Sequence, residues 1–419
     1  MEKKKRLLQI NVTANWGSTG RIAEEIGLLA LAQGWESWIA CRDGAFGEQA
    51  GGGPAPSAST LIRVGGKLSH SLHYRLGRIF DCEGLCSRLA THSLVRKIKA
   101  IGPDIVQIHN IHGAWINYPI LFHYLKKSGI PVVWTFHDCW PFTGHCAHFD
   151  GIGCGRWKVY CHDCPNLGGY PRTRFDGSLR NFLKKEKAYG SMDNLFIVSV
   201  SRWLEGFIED SFLDGHGHMT IHNGIDLKDF TPLPLRLFGQ EKPVVLGVAS
   251  VWDEKKGLSD LAALSHHEDI KVVAVGVSEE LRKNLPSSLI CLPRTTGKRE
   301  LAEIYSSADV FVNPTYEDNF PTVNIEALAC GTPVVTYRTG GSPEALTPET
   351  GKVVEKGDVE GLYAAVISLT GRPGVERKLQ RDKCAARGRL FGAGERFREY
   401  LNLYASLMGG RKVETSSEP

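Results

Sequence analysis

The sequence predicts an α/β protein of two Rossmann-like domains, with parallel sheets whose strand ends face a cleft between the domains. Three observations carry that expectation. Short apolar runs alternate with helical patterns, as parallel sheets covered on both faces require. The alternation stops at one proline-bearing stretch and then starts again. The 419 residues also exceed a single ordinary domain, at roughly 100–200 residues each.

In the first series, RLLQINV (residues 6–12) reads as a strand. The glycine-bearing turn NWGSTGR and the helix IAEEIGLLALAQG follow it. ESWIACR, DIVQIHN, PVVWTFHD and LFIVSV are further strands. Residues 44–60, rich in Gly, Pro, Ser and Ala, read as a loop. The second series begins near Pro243. Its strands are VVLGVAS, IKVVAVGV, LICLP, VFVNP and TPVVTY, with LSDLAAL and RELAEIYSSA among its helices. The stretch LKDFTPLPLRLFGQEKP between the series reads as a linker. The expected domains are therefore 1–228 and 241–390, with 391–410 a helix packing back toward the first domain. The tail after Gly409 is polar and expected to be disordered. Ligands of open α/β sheets bind beyond the carboxyl ends of the strands, which places a site in the expected cleft.

Composition narrows the function classes. Hydrophobic residues make up 42% of the chain and charged residues 23%, as in ordinary globular proteins. A net charge of +4 gives no reason to expect nucleic acid. No run approaches the roughly 20 apolar residues of a membrane span. The start, MEKKKRLLQINV, has too short an apolar stretch for a signal peptide. A cytoplasmic, reducing setting is expected, with the 11 cysteines as free thiols or metal ligands.

The most informative stretch is ADVFVNPTYEDNFPTVNIEALACGTPVVTYRTGGSPEAL, residues 308–346. A strand ends at Asn313-Pro314. A polar loop follows with Glu317, Asp318, Asn319 and Phe320. A helix then runs from near Pro321 to Cys330, and Gly331 closes it. Carboxylates here can accept hydrogen bonds from ribose or sugar hydroxyls, although two acids near a helix start can also serve the helix dipole alone. Gly340-Gly341-Ser342-Pro343-Glu344 reads as a second strand-to-helix turn. Ser342 is expected as N-cap, with Pro343 at the first helical position. Backbone N–H groups freed there would attract an anion. Lys256, at the end of VVLGVAS, adds a cation; Lys255 beside it reads as a solvated surface lysine. A nucleoside diphosphate fits all three features.

These residues resemble the C-terminal domain of retaining glycosyltransferases of family 4 and GT-B fold. That family carries two acids separated by seven residues, then E-A-L/M-A-x-G-x-P-V. Asp318 stands at the first acid position, with Glu317 one residue earlier, and Glu326 matches the ribose-binding acid. Lys256 matches the diphosphate-binding lysine. The family's arginine five or six residues before it is absent, Val251 and Ser250 standing there, and Arg294 is a candidate replacement. Asn223-Gly224-Ile225-Asp226 matches the family's N-G-I-D. HNIHG (109–113) and WTFHDCWPFTGHC (134–146) extend the likeness to bacterial exopolysaccharide transferases of the colanic-acid type. The resemblance implies that His137 lies against the donor sugar and that Gly17 and Gly20 form a donor-side glycine loop. It also implies retention of anomeric configuration and no metal requirement for catalysis. His109, His112 and Asp138 are expected on the acceptor side, with plain loop or strand-end residues and a metal cluster as the other readings.

The implied activity moves a sugar from a nucleotide-sugar donor onto a saccharide or lipid-linked acceptor. Capsule, lipopolysaccharide or exopolysaccharide synthesis is the expected setting. A GT-B epimerase or phosphorylase and a non-catalytic sugar-nucleotide binder are the alternatives. A nicotinamide oxidoreductase is disfavoured because no dinucleotide fingerprint is present, and the absent G-x-x-x-x-G-K-[ST] disfavours a P-loop NTPase. Two further features stand apart. RTRFDGSLRNFLKKEK (172–187) carries Arg172, Arg174, Arg180, Lys184, Lys185 and Lys187, which suits either a solvated helix face or contact with an anionic membrane. Cys146, Cys154, Cys161 and Cys164 suit a structural zinc site, with His145, His148 and His162 as substitutes, or else free thiols or a redox pair.

Overall fold

Every strand pairing in the two sheets is parallel, in the computed structural model that describes residues 3–42, 56–239 and 241–410. The first sheet holds β1 (Arg6–Ile10), β2 (Glu36–Arg42), β3 (Thr60–Val64), β4 (Ile105–Ile108), β5 (Val132–Phe136), β6 (Leu195–Ser199) and β7 (Gly217–Thr220). Its order is β3-β2-β1-β4-β5-β6-β7. The second holds β8 (Val244–Val248), β9 (Lys271–Val275), β10 (Ile290–Leu292), β11 (Val310–Asn313), β12 (Val334–Tyr337) and β13 (Gly351–Val354). Its order is β10-β9-β8-β11-β12-β13. The central strands β4, β5, β6, β11 and β12 are buried along their whole length, the signature of sheets covered on both faces.

β3, β7 and β13 were not legible as strands in the sequence. All three are edge strands. An edge strand buries less of itself, so its sequence needs no long apolar run; GHMT in β7 is the extreme case. β3 also corrects the reading of 44–60 as all loop, since Thr60 opens that strand. Residues 44–55 of that stretch and the tail from 411 lie outside the described residues.

One compact unit comprises Met1–Ile221 with Phe397–Pro419, and the other His222–Arg396. The second therefore contains Asn223–Asp226 and the proline-bearing stretch. That stretch is attached rather than free: Leu233 N donates to Ser306 Oγ at 3.1 Å, and Lys271 Nζ to Phe238 O at 2.5 Å. The end of the helix Ala393–Met408 belongs to the first unit. There Tyr404 OH donates to Gln107 Oε1 at 2.8 Å, and Thr135 Oγ1 to Tyr400 OH at 3.2 Å. Those contacts reach β4 and β5, the strands whose ends carry the histidines.

The basic stretch 172–187 divides. Lys185 is buried, and Arg180 donates inward to the carbonyls of Phe80 and Asp81. Lys185 is thus a structural cation, whereas Arg180, Lys184 and Lys187 stay exposed.

Candidate active site

In the second sheet the strand order reverses between β8 and β11, the place where open α/β sheets accept ligands. β8 runs into a 3-10 turn, Glu254–Lys256, and then Gly257 at φ +72°. A Cβ at Gly257 would lie 2.1 Å from the Pro314 carbonyl oxygen. Only glycine lets the loops after β8 and β11 touch there. The contact aligns two lysines with two acids. Lys256 Nζ lies 2.8 Å from Asp318 Oδ2, and Lys255 pairs with Glu317. Lys255 is thus half exposed but ion-paired, rather than simply solvated. The Lys256 and Asp318 side chains keep 34% and 24% of their exposure, so a ligand can reach both.

The loop after β12 closes on the same place. Gly340 sits at φ +50°, and a Cβ there would be 1.8 Å from the Asp318 carbonyl oxygen. Gly341 N donates to Asn319 O at 2.9 Å. Phe320 is buried against His222, with ring centroids 4.5 Å apart. Glu326 is half-buried on the helix Thr322–Ala329 and accepts from Tyr305 OH at 3.2 Å. The expected helix after Gly341 is only a 3-10 turn, Ser342–Ala345, and Ser342 makes no capping bond. Pro343 supplies no N–H, and the chain is extended again at Leu346. A helix dipole is therefore absent, and the N–H groups of Gly341 and Ser342 are already bonded to the carbonyls of Asn319 and Thr339, at 2.9 and 3.0 Å. Arg294 is exposed after the edge strand β10, whereas the charged pairs follow the central strands β8 and β11.

In the first unit the order reverses between β1 and β4. Asn11 Oδ1 accepts from Asn110 N at 3.1 Å, tying the two loops together. Gly17 opens the helix Gly17–Ala32, and Gly20 O accepts from Asn15 N at 3.1 Å, so both glycines belong to one tight turn. The four polar residues after β4 and β5 form two pairs. His109 Nδ1 lies 3.1 Å from His137 Nε2, and His112 Nε2 lies 2.8 Å from Asp138 Oδ2. Burial holds both rings of the first pair neutral: His109 falls well below the ordinary histidine value and His137 falls to about 4. In the second pair burial is outweighed. Asp138 raises His112, and His112 holds Asp138 down at about 2, so the two form an ion pair.

Sequence reasoning missed three supports of these groups. Tyr170 OH lies 2.9 Å from His112 Nδ1. Glu83 accepts from Gly113 N and Ala114 N at 2.6 and 2.5 Å, fixing the loop after β4. His222 Nε2 lies 2.8 Å from Glu344 Oε2 beside Phe320. None of these has a diagnostic spacing in the sequence; each partner lies tens of residues away.

Residues 27–229 match the family model described as Glycosyltransferase Family 4, and residues 242–371 the one described as Glycosyl transferases group 1. Together they match more than three quarters of the chain. The chain belongs to the group 1, family 4 glycosyltransferases. This glycosyltransferase is 26% identical over 430 residues to WcaC of Escherichia coli (strain K12), across 96% of this chain and 100% of that one. The name of WcaC provisionally makes it a colanic acid biosynthesis glycosyl transferase. A D-inositol 3-phosphate glycosyltransferase of Mycobacterium sp. (strain KMS) is 30% identical over 172 residues, 36% of this chain and 39% of that one. Sucrose-phosphate synthase from Thermosynechococcus elongatus shares the fold at TM-score 0.71 and 19% identity, over 97% of this chain and 100% of that one. Anabaena HepE, solved in complex with UDP, shares it at TM-score 0.66 and 13% identity, over 96% and 100%. The fold of this glycosyltransferase is GT-B, and its activity is glycosyl transfer. No helix among the described residues is long and apolar enough to cross a membrane.

Proposed function

We propose that this glycosyltransferase moves a sugar, with retention of configuration, from a nucleoside diphosphate sugar to a saccharide or lipid-linked saccharide during cell-surface polysaccharide assembly. The Lys256–Asp318 contact at the turning point of the second sheet carries the reading. Lys256 binds the diphosphate and stabilises the charge that develops on it as the glycosidic bond breaks. Glu326 accepts from the ribose hydroxyls, and the Gly340 N–H faces the phosphates. Asp318 and Glu317 hold the two lysines apart and meet the sugar. In the first unit the neutral His137 hydrogen-bonds to the donor sugar without adding a charge. The Gly17–Gly20 turn contributes backbone N–H groups. His112 and Asp138 position the acceptor hydroxyl. WcaC supports the polysaccharide setting, and HepE with UDP supports the nucleotide. A thermal-shift screen of nucleoside diphosphates and their sugars tests the binding half. NMR of the product anomer tests retention; an inverted product overturns that part.

The lipid-linked acceptor fits a second observation. Phe175, Leu179 and Leu183 are exposed at 62%, 42% and 49%, beside Arg174, Lys184 and Lys187. Apolar groups among cations suit an anionic bilayer surface. Sedimentation with anionic vesicles at low salt checks it; absence of binding removes the membrane contact while leaving the transfer reaction intact.

A further inference from the structure

The segment from Cys146 to Asn166 has almost no regular structure, only the two 3-10 turns Asp150–Ile152 and Arg156–Lys158. On one side it is anchored by stacked aromatics: Trp157 packs on Phe149, Phe142 and Phe207 at centroid distances of 5.0 to 5.3 Å. Phe149 and Trp157 line one small cavity together with Cys146, Cys154, Cys161 and Cys164. All four are free thiols.

Three neighbours of that cavity point to a bound cation with thiolate ligands. His145, also on its wall, is buried, and its Nδ1 lies 2.7 Å from Asp81 Oδ1. A carboxylate only accepts, so Nδ1 carries a proton. The buried Nε2 has no hydrogen-bond partner. Gly144 N donates to Cys161 Sγ at 3.2 Å, the bond that favours a negative sulfur. A Cβ at Gly144 would be 2.7 Å from Cys161 Cβ, so the approach depends on glycine. Lys185 is 1% exposed and donates only to the carbonyls of Trp140 and Thr143, at 2.5 and 2.9 Å. Among the described residues no carboxylate forms an ion pair with it. The Trp140 ring lies 3.5 Å from its ammonium, and negative sulfurs nearby would add to that stabilisation.

We propose that Cys146, Cys154, Cys161 and Cys164 bind one structural zinc ion through their four sulfurs. Thiolates are soft ligands, and four of them make a closed tetrahedral site with no open position for chemistry. Binding replaces S–H bonds by zinc–sulfur bonds and releases the protons to solvent. Among the described residues no group of three or more His, Cys, Asp or Glu stands ready to hold a metal. The ion therefore draws the chain in, which Gly151, Gly153 and Gly155 permit. The consequence reaches the acceptor-side pair. Ala147 N donates to Tyr170 O at 2.9 Å, Cys139 N donates to Ala147 O at 2.8 Å, and Tyr170 and Asp138 both bond to His112. Zinc at the cysteines fixes that strap.

Elemental analysis of the full chain, purified without added metal from zinc-replete cells, is expected to find about one zinc per chain. Less than about a tenth of an equivalent overturns the proposal. A Cys161–Cys164 disulfide found by mass mapping of the same sample also overturns it. The Cys154→Ser, Cys164→Ser double variant is expected to lose the zinc, and Cys291→Ser to keep it. Full occupancy in a folded double variant refutes the ligand assignment. Should the double variant fail to fold, the wild-type chain exchanged into cobalt is expected to show thiolate-to-cobalt charge-transfer bands; their absence refutes sulfur ligation.

Discussion

Lys256 Nζ and Asp318 Oδ2 are 2.8 Å apart, although 62 residues separate them, because Gly257 lets the loop after β8 rest on the Pro314 carbonyl. With no ligand the acid neutralises the lysine. A diphosphate must therefore compete with Asp318 for that cation. Lys256→Ala is expected to weaken nucleoside diphosphate binding by about 1.5–3 kcal/mol, the range for a hydrogen bond to a charged group. That is roughly ten- to hundredfold in Kd. Titration calorimetry with a panel of diphosphates measures it, and kcat should fall as well. Asp318→Asn should leave diphosphate affinity equal or tighter while lowering turnover. Unchanged affinity and turnover in folded Lys256→Ala would reject the donor site.

Glu326 and Lys256 are assigned to different parts of the donor, so a pair of ligands separates them. Glu326→Gln keeps the shape and the partner of Tyr305 OH but removes the charge. Nucleotide affinity should drop about ten- to thirtyfold, within the range for charged hydrogen bonds. Affinity for inorganic pyrophosphate, which has no ribose, should barely change. Lys256→Ala should weaken both. Equal loss of both ligands in Glu326→Gln would contradict the ribose role.

His137 should titrate near 4, well below the ordinary histidine value of about 6.5. Burial favours its neutral form in the native state, so the unfolded chain binds the proton first. The sign follows: stability is full above about pH 6.5 and falls as pH drops toward 4. Asp138 behaves likewise at lower pH, its contribution being lost as pH falls through about 2. His112 runs the other way: its raised value adds stability below the ordinary histidine range, which is lost as pH rises through that value. Denaturant midpoints of wild type and His137→Gln between pH 7 and 5 check the first sign. The variant should show the shallower acid loss. Imidazole NMR should show no His137 titration between those limits.

Gly257→Ala should be among the most damaging single-methyl changes in the second unit. The backbone at φ +72° strains any other residue by about 1–3 kcal/mol, and the added Cβ would strike a carbonyl oxygen. Thermal unfolding should show a lowered Tm. Gly129→Ala, at φ +66° with open space around its Cβ, is the control for backbone strain without the clash. Equal effects at the two positions would show that the loop contact does not matter.

The sequence by itself determined the layering of this glycosyltransferase. Runs such as VVWTF, VFVN and VVTY are buried through whole strands, and that demand for apolar residues on both faces is written locally. The loop proposed for the donor is likewise local, because Asp318, Glu326, Gly340 and Gly341 fall within one stretch of chain. Only the tertiary structure decided the pairings. Lys255 with Glu317, His109 with His137, and Tyr170 with His112 join residues brought together by strand order, which no local pattern encodes. The structure also decided that Ser342 starts a single 3-10 turn rather than a helix, that Lys185 is buried, and that the exposed Arg180 donates to the Asp81 carbonyl. Propensity reads a capping serine or a basic run in isolation. Whether a helix continues, or a cation meets solvent, depends on the space and the carbonyls that distant segments leave around it.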